Sequence, residues 1–136
     1  MIKPINTNLQ KLSRPSLPAT RADLFIGQDL QDTLAAHRKH CIGMAANMIG
    51  ENKRVIIAQL GPLPVVMFNP QIISQSHPYQ TKEGCLSLPG ERFAKRYHQI
   101  TVQFLNRAWQ KQSLTLTDLA AEIVQHEIDH CNGILI

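Results

Sequence analysis

Thr117-Asp118-Leu119-Ala120-Ala121-Glu122-Ile123-Val124-Gln125-His126-Glu127-Ile128-Asp129-His130-Cys131-Asn132-Gly133 reads as one helix with its own start and stop. Thr117 can cap it, Asp118 suits its positive N-terminal end, and Gly133 can supply a left-handed stop. Leu119, Ile123, His126 with Glu127, and His130 then share one side. The stretch contains H-E-x-x-H, and residues four apart lie one turn apart on the same side, so both imidazoles can reach one ion. Glu127 flanks that edge, where it can take a proton from metal-bound water, whose pKa falls from about 15.7 to about 7. The competing reading is a chance pattern on a solvated helix.

Working outward, only Cys131 to Ile136 follow this motif, so a third ligand is expected upstream. A thiolate with two imidazoles makes a normal catalytic set with a fourth position open. Cys85, in Glu83-Gly84-Cys85-Leu86-Ser87-Leu88-Pro89, is the best candidate, set beside what reads as a polar, Gly-containing loop. The competing reading is a small buried hydrophobe. Cys41 precedes another Gly-containing turn, and Cys131 points about 100° away from His130 around the helix. His37, His40, His77 and His98 have no spacing partner and read as surface or satisfied core residues.

The rest of the chain supplies mostly strands. Residues 1–19 carry Pro4, Pro15 and Pro18 among polar residues and read as an extended arm. Thr20 with Asp23 resembles a capping box, and Phe25/Ile26, Leu30 and Leu34 recur at helical spacing, predicting a helix to about His40. Residues 54–60 and 63–68 flank Gly61-Pro62 as a hairpin, and 71–73 continues after Asn69-Pro70. Residues 99–105 and 113–117 alternate polar and apolar positions, and 106–112 can join them as a second hairpin. Short, mainly antiparallel strands around a C-terminal helix, with one helix near the N-terminus, predict an α+β fold in a single domain over 1–136.

Composition narrows the function classes. The 136 residues suit one hydrophobic core. Three cysteines are too few for a disulfide framework and fit a reducing compartment. No run of about 20 apolar residues suggests a membrane span, and no apolar signal segment opens the chain, so a cytoplasmic location is expected. The net charge of +4 comes from scattered residues, and 5% aromatics are too few for base stacking, so no nucleic-acid partner is expected.

Three ordered motifs resemble those of the peptide deformylases over about residues 20–136. Cys41-Ile42-Gly43-Met44-Ala45-Ala46-Asn47-Met48 is similar to the family's G-Φ-G-Φ-A-A-x-Q, while Glu83-Gly84-Cys85-Leu86-Ser87 and Gln125-His126-Glu127-Ile128-Asp129-His130 match the second and third motifs in full. The resemblance implies hydrolysis of the N-formyl group from the methionine that starts new polypeptides. It implies Cys85, His126 and His130 as ligands of one divalent ion, Fe(II) in the cell with Zn(II) as the alternative. It further implies Glu127 as general base and acid, and the Leu86 backbone N–H as an oxyanion donor. Ile42, Gly43, Met48, Arg92 and Ile123 are its substrate-side residues, with Leu119 as a further wall. Family members often carry a longer C-terminal helix, and ribosome contact is not carried over to this chain.

One position departs. Met48 stands where the family has Gln, and Cys41 replaces the motif's first Gly. A thioether donates no hydrogen bond, and losing one oxyanion donor typically costs about 10²–10³ in kcat. Asn47 is the neighbouring amide that could substitute. The alternatives to an active deformylase are a catalytically impaired, deformylase-like metal-binding protein and an amide hydrolase with altered acyl specificity.

Overall fold

Val55-Ile56-Ile57-Ala58 is apolar at four successive positions because both faces of its strand are covered. Val55 and Ile57 join one buried cluster, with Ile26, Leu30 and Leu34; Ile56 and Ala58 join another, with Ile123, Val124 and Ile128. The computed structural model describes residues 1–136. Its helices are α1 (Leu9–Leu12), α2 (Leu24–Ala36) and α3 (Asp118–Cys131); its strands are β1 (Gly43–Ala45), β2 (Val55–Leu60), β3 (Leu63–Cys85), β4 (Leu88–Leu105) and β5 (Lys111–Thr117). The strands form one antiparallel sheet in chain order. The expected α+β fold is what forms, with α2 on one face of β2 and α3 on the other. No helix is long and apolar enough to cross a membrane.

Both expected hairpins are present: Leu60 pairs with Leu63 around Gly61-Pro62, and Leu105 pairs with Lys111. The capping box also forms, with Asp23 accepting from the Thr20 backbone N–H at 2.8 Å. Asp23 closes a short 3-10 turn, Arg21–Asp23, and α2 proper begins at Leu24.

Four details differ from the expectations. The strands are not all short: β3 has 23 residues and β4 has 18. Residues 74–84 and 88–98 are largely polar, so no alternation marks them, yet they satisfy each other's backbone groups across a long two-stranded ribbon. Helix α2 stops at Ala36, where the His37 backbone N–H closes on Leu34 O. The Thr117 side chain makes no capping bond to α3. The 1–19 arm is not wholly extended, because Asn8 accepts from the Lys11 N–H and starts the single turn α1, which buries Leu12. The arm is fastened to the end of α3: Ser16 N–H donates to Cys131 O at 2.7 Å. A Cβ at Gly133 (φ 75°) would fall 2.5 Å from Ser13 O, so this contact needs glycine.

Candidate active site

The Gln, Asp and first Glu of the two complete motifs act as scaffolding. Gln125 side-chain oxygen accepts from the Tyr97 N–H at 2.8 Å, and its amide donates to Tyr97 O at 2.9 Å. It thereby completes β4 where pairing with β5 has ended, since the ladder stops at Gln99 and Thr117. Asp129 accepts from Arg96 at 2.7 Å, and the same guanidinium reaches both oxygens of Glu83 at 2.7 and 2.9 Å. Arg96 is only 3% exposed. This buried fork ties the end of β3 and the middle of β4 to α3.

Glu83 then orients the chemistry. His126 Nδ1 lies 2.7 Å from Glu83 Oε1, so the N–H donates there and the Nε2 lone pair faces the opposite way. Burial pushes the Glu83 carboxyl up, but the His126 and Arg96 bonds outweigh it and hold it at about 2. His130 Nε2 stands 3.2 Å from His126 Nε2 and 3.4 Å from the sulfur of Cys85. The three donor atoms all lie within 4.8 Å of one another. Sulfur and two imidazole nitrogens at this spacing fit a divalent ion with one position left open.

Without an ion the two rings titrate apart. Burial lowers the basicity of both; the Glu127 and Glu83 carboxylates and Cys85 reverse this at His126, raising it to about 10, whereas His130, beside His126, falls to about 3. An ion held by both rings requires His126 to give up its Nε2 proton, so binding releases a proton and strengthens as pH rises. Glu127 is buried at the floor of the cleft, and that burial pushes its carboxyl up to about 7. Its Oε1 has no hydrogen-bond partner in the protein. A carboxyl poised near neutrality suits proton transfer at physiological pH.

A cleft of about 270 Å³ opens on this group and is lined by Ile42, Gly43, Met48, Cys85, Ile123, His126 and Glu127, with Leu119 at its rim. Gly43 meets α3 so closely that a Cβ there would fall 2.8 Å from Glu127 Oε2 and 2.9 Å from Ile123 Cγ2. Arg92 is not among the lining residues; it pairs with Glu83 across the ribbon, with its Nη1 buried and unpartnered. Cys85 closes β3 rather than sitting in a loop, and Leu86 is the first residue of the tight turn that follows.

The first-motif wall carries no side-chain amide into the cleft. Met48 is 1% exposed and its sulfur lies 3.5 Å from the Ala45 N–H. Asn47 does not substitute, because its Nδ2 donates to His130 O at 2.8 Å and pins the 3-10 turn Ala46–Ile49 to α3. Spacing alone missed Arg96, Glu122, Lys82 and His40, the last three of which line the cleft. A buried Arg shows no helical or strand period, so no local signal marked Arg96.

Two histidines and a buried carboxyl on one helix, met by a cysteine at the end of a strand of an antiparallel sheet, are the arrangement of a metal-dependent hydrolase. The polypeptide deformylase family model matches residues 5–136. A peptide deformylase of Clostridium beijerinckii is 46% identical over the full length of both chains, and one of Carboxydothermus hydrogenoformans is 35% identical over 93% of this chain and 83% of its own. The Met-Ala-Ser-bound class I type b peptide deformylase of Acinetobacter baumannii superposes with a TM-score of 0.89 at 28% identity, covering 99% and 97% of the two chains. That of Thermotoga maritima does so with 0.89 at 26%, covering 99% and 95%. The chain belongs to the polypeptide deformylase family, metal-dependent hydrolases of N-formyl peptides.

Proposed function

We propose that this protein removes the formyl group from N-terminal formylmethionine of nascent polypeptides, in the cytoplasm, with one Fe(II) held by Cys85, His126 and His130. The observation that carries this reading is the convergence of those three donors within 4.8 Å beside Glu127. When bound, the ion supplies acidified water and a charge that polarises the formyl oxygen. Glu127 takes a proton from the attacking water and returns it to the departing amine. Water adds to the formyl carbon, the C–N bond breaks, and formate and a free amine leave. The Leu86 N–H donates to the developing oxyanion. Ile42, Leu119 and Ile123 supply apolar wall for the methionine side chain, and Gly43 leaves room for Glu127.

Met48 makes the oxyanion side poorer by one donor, a cost of about 10²–10³ in kcat. Enzymes usually accelerate their reactions by about 10⁶ or more, so turnover survives that loss. Formate release from formyl-Met-Ala-Ser by iron-loaded, anaerobically purified protein is the test, with metal analysis on the same sample. Metal-dependent release and a predominance of iron are expected; no release would overturn the assignment. Glu127→Gln should reduce release by about 10²–10⁴ while the ion stays bound. Undiminished release would remove Glu127 from its role.

A further inference from the structure

Lys82 is remote in sequence from Arg38, Lys39 and His40, but the fold brings them to one mouth. The turn over residues 37–40 follows α2 and leads directly into the cleft wall at Cys41-Ile42-Gly43. His40 lines the cleft, and it also lines the adjoining depression formed with Arg38 and Lys39. Lys82, on β3, lines the same cleft. Arg38, Lys39 and Lys82 are all exposed, and none is paired with a carboxylate. The carboxylates of the cleft are engaged elsewhere. Glu83 holds Arg96 and His126, Glu122 accepts from the Tyr79 hydroxyl at 3.1 Å, and Glu127 is buried at the floor. The Lys82 ammonium lies 5.0 Å from the centroid of the exposed Phe93 ring, an attraction that keeps it at the ribbon surface.

We propose that Arg38, Lys39 and Lys82 make the cleft mouth a basic rim that selects formylated chains carrying Asp or Glu shortly after the methionine. The inference rests on the deformylase reading above, because it concerns the residues that trail from a bound formylmethionine. With that residue in the cleft, the rest of the chain leaves through the mouth, where the rim stands. Unpaired cations around a cleft focus an attractive field for anions and raise their local concentration. Each exposed charge pair is worth about 1.5- to 5-fold in binding, and salt weakens it. The gain falls on association and KM rather than on the bond-breaking step, since none of the three cations belongs to the Cys85, His126, Glu127 and His130 group.

The test is formate release by the iron-loaded protein from three C-terminally amidated peptides, formyl-Met-Asp-Asp, formyl-Met-Ala-Ala and formyl-Met-Lys-Lys, at ionic strengths of about 0.02 M and about 0.5 M. At low salt kcat/KM should fall in that order, with about 10-fold between the acidic and the basic peptide, carried by KM. At high salt the gap should close. Lys82→Glu should narrow the low-salt gap by about 3-fold or more, whereas Lys82→Arg should keep it. Equal kcat/KM for the three peptides, a gap that survives high salt, or one that Lys82→Glu leaves intact would overturn the inference while the deformylase reading stands. Release from none of the peptides would instead overturn that reading, and this inference with it.

Discussion

The two walls of the cleft are built by opposite means. On the α3 wall, His126, Glu83, Arg96 and Asp129 are joined in series by bonds of 2.7–2.9 Å, and Gln125 separately clips α3 to the Tyr97 backbone. On the β1 wall, Gly43 and Met48 offer shape and apolar surface, and the nearby Asn47 amide is spent on holding α3. The proposed ligand side is therefore determined several times over, while the proposed oxyanion side relies on what remains. A site can tolerate loss of an oxyanion donor, because that donor adds to a rate. Loss of the group that sets ligand direction weakens the centre itself, typically by about 10–100-fold in metal affinity.

Four measurements sharpen this contrast. Arg96→Leu should have the largest effect: it leaves Glu83 and Asp129 without their cation, and breaking a buried pair typically costs about 3–5 kcal/mol. Urea unfolding of metal-loaded protein would read it, and a loss below about 1 kcal/mol would mean that the fork is not what secures α3. Met48→Gln should raise kcat by about 10²–10³ if only a donor is missing from the first wall. An unchanged kcat would show that this wall is shaped for a different acyl group. Gly43→Ala should cost about 1–3 kcal/mol through overpacking. It should also lower kcat more than it raises KM, since the new methyl meets Glu127 first; an effect on KM alone would contradict that contact.

The last measurement reads the response to acid. Glu83 has its carboxyl held at about 2 in the folded protein against an ordinary 4.5. A depressed carboxyl stabilises the fold fully above its unfolded pKa, and that contribution drains away as pH falls from about 4.5 towards 2. Glu83→Gln should therefore show a shallower loss of stability than the unmodified protein across that window. Parallel curves would separate Glu83 from the acid response.

Much of this was legible in the chain. The strict four-residue spacing of His126 and His130, and the alternation at Ile100, Val102 and Phe104, reflect local periods that any single segment must display. The hairpin around Gly61-Pro62 was equally readable, because turn chemistry is local. The long ribbon of β3 and β4 was not. Residues such as Ser74, Gln75 and Ser76 are stabilised by partners more than twenty positions away, and polar residues on an exposed ribbon carry no period of burial.

By itself, then, the sequence determined which residues can ligate and which helix presents two of them, since helical geometry converts spacing directly into a shared face. It also determined that Met48 lacks a donor, a matter of side-chain chemistry alone. Only the tertiary structure decided that the sulfur of Cys85 meets the two rings and that Arg96 joins Glu83 to Asp129. The folded chain alone also turned the Asn47 amide towards His130. These are distances between remote segments, set by strand register and by the packing of α3 on the sheet, and no period within one segment encodes them.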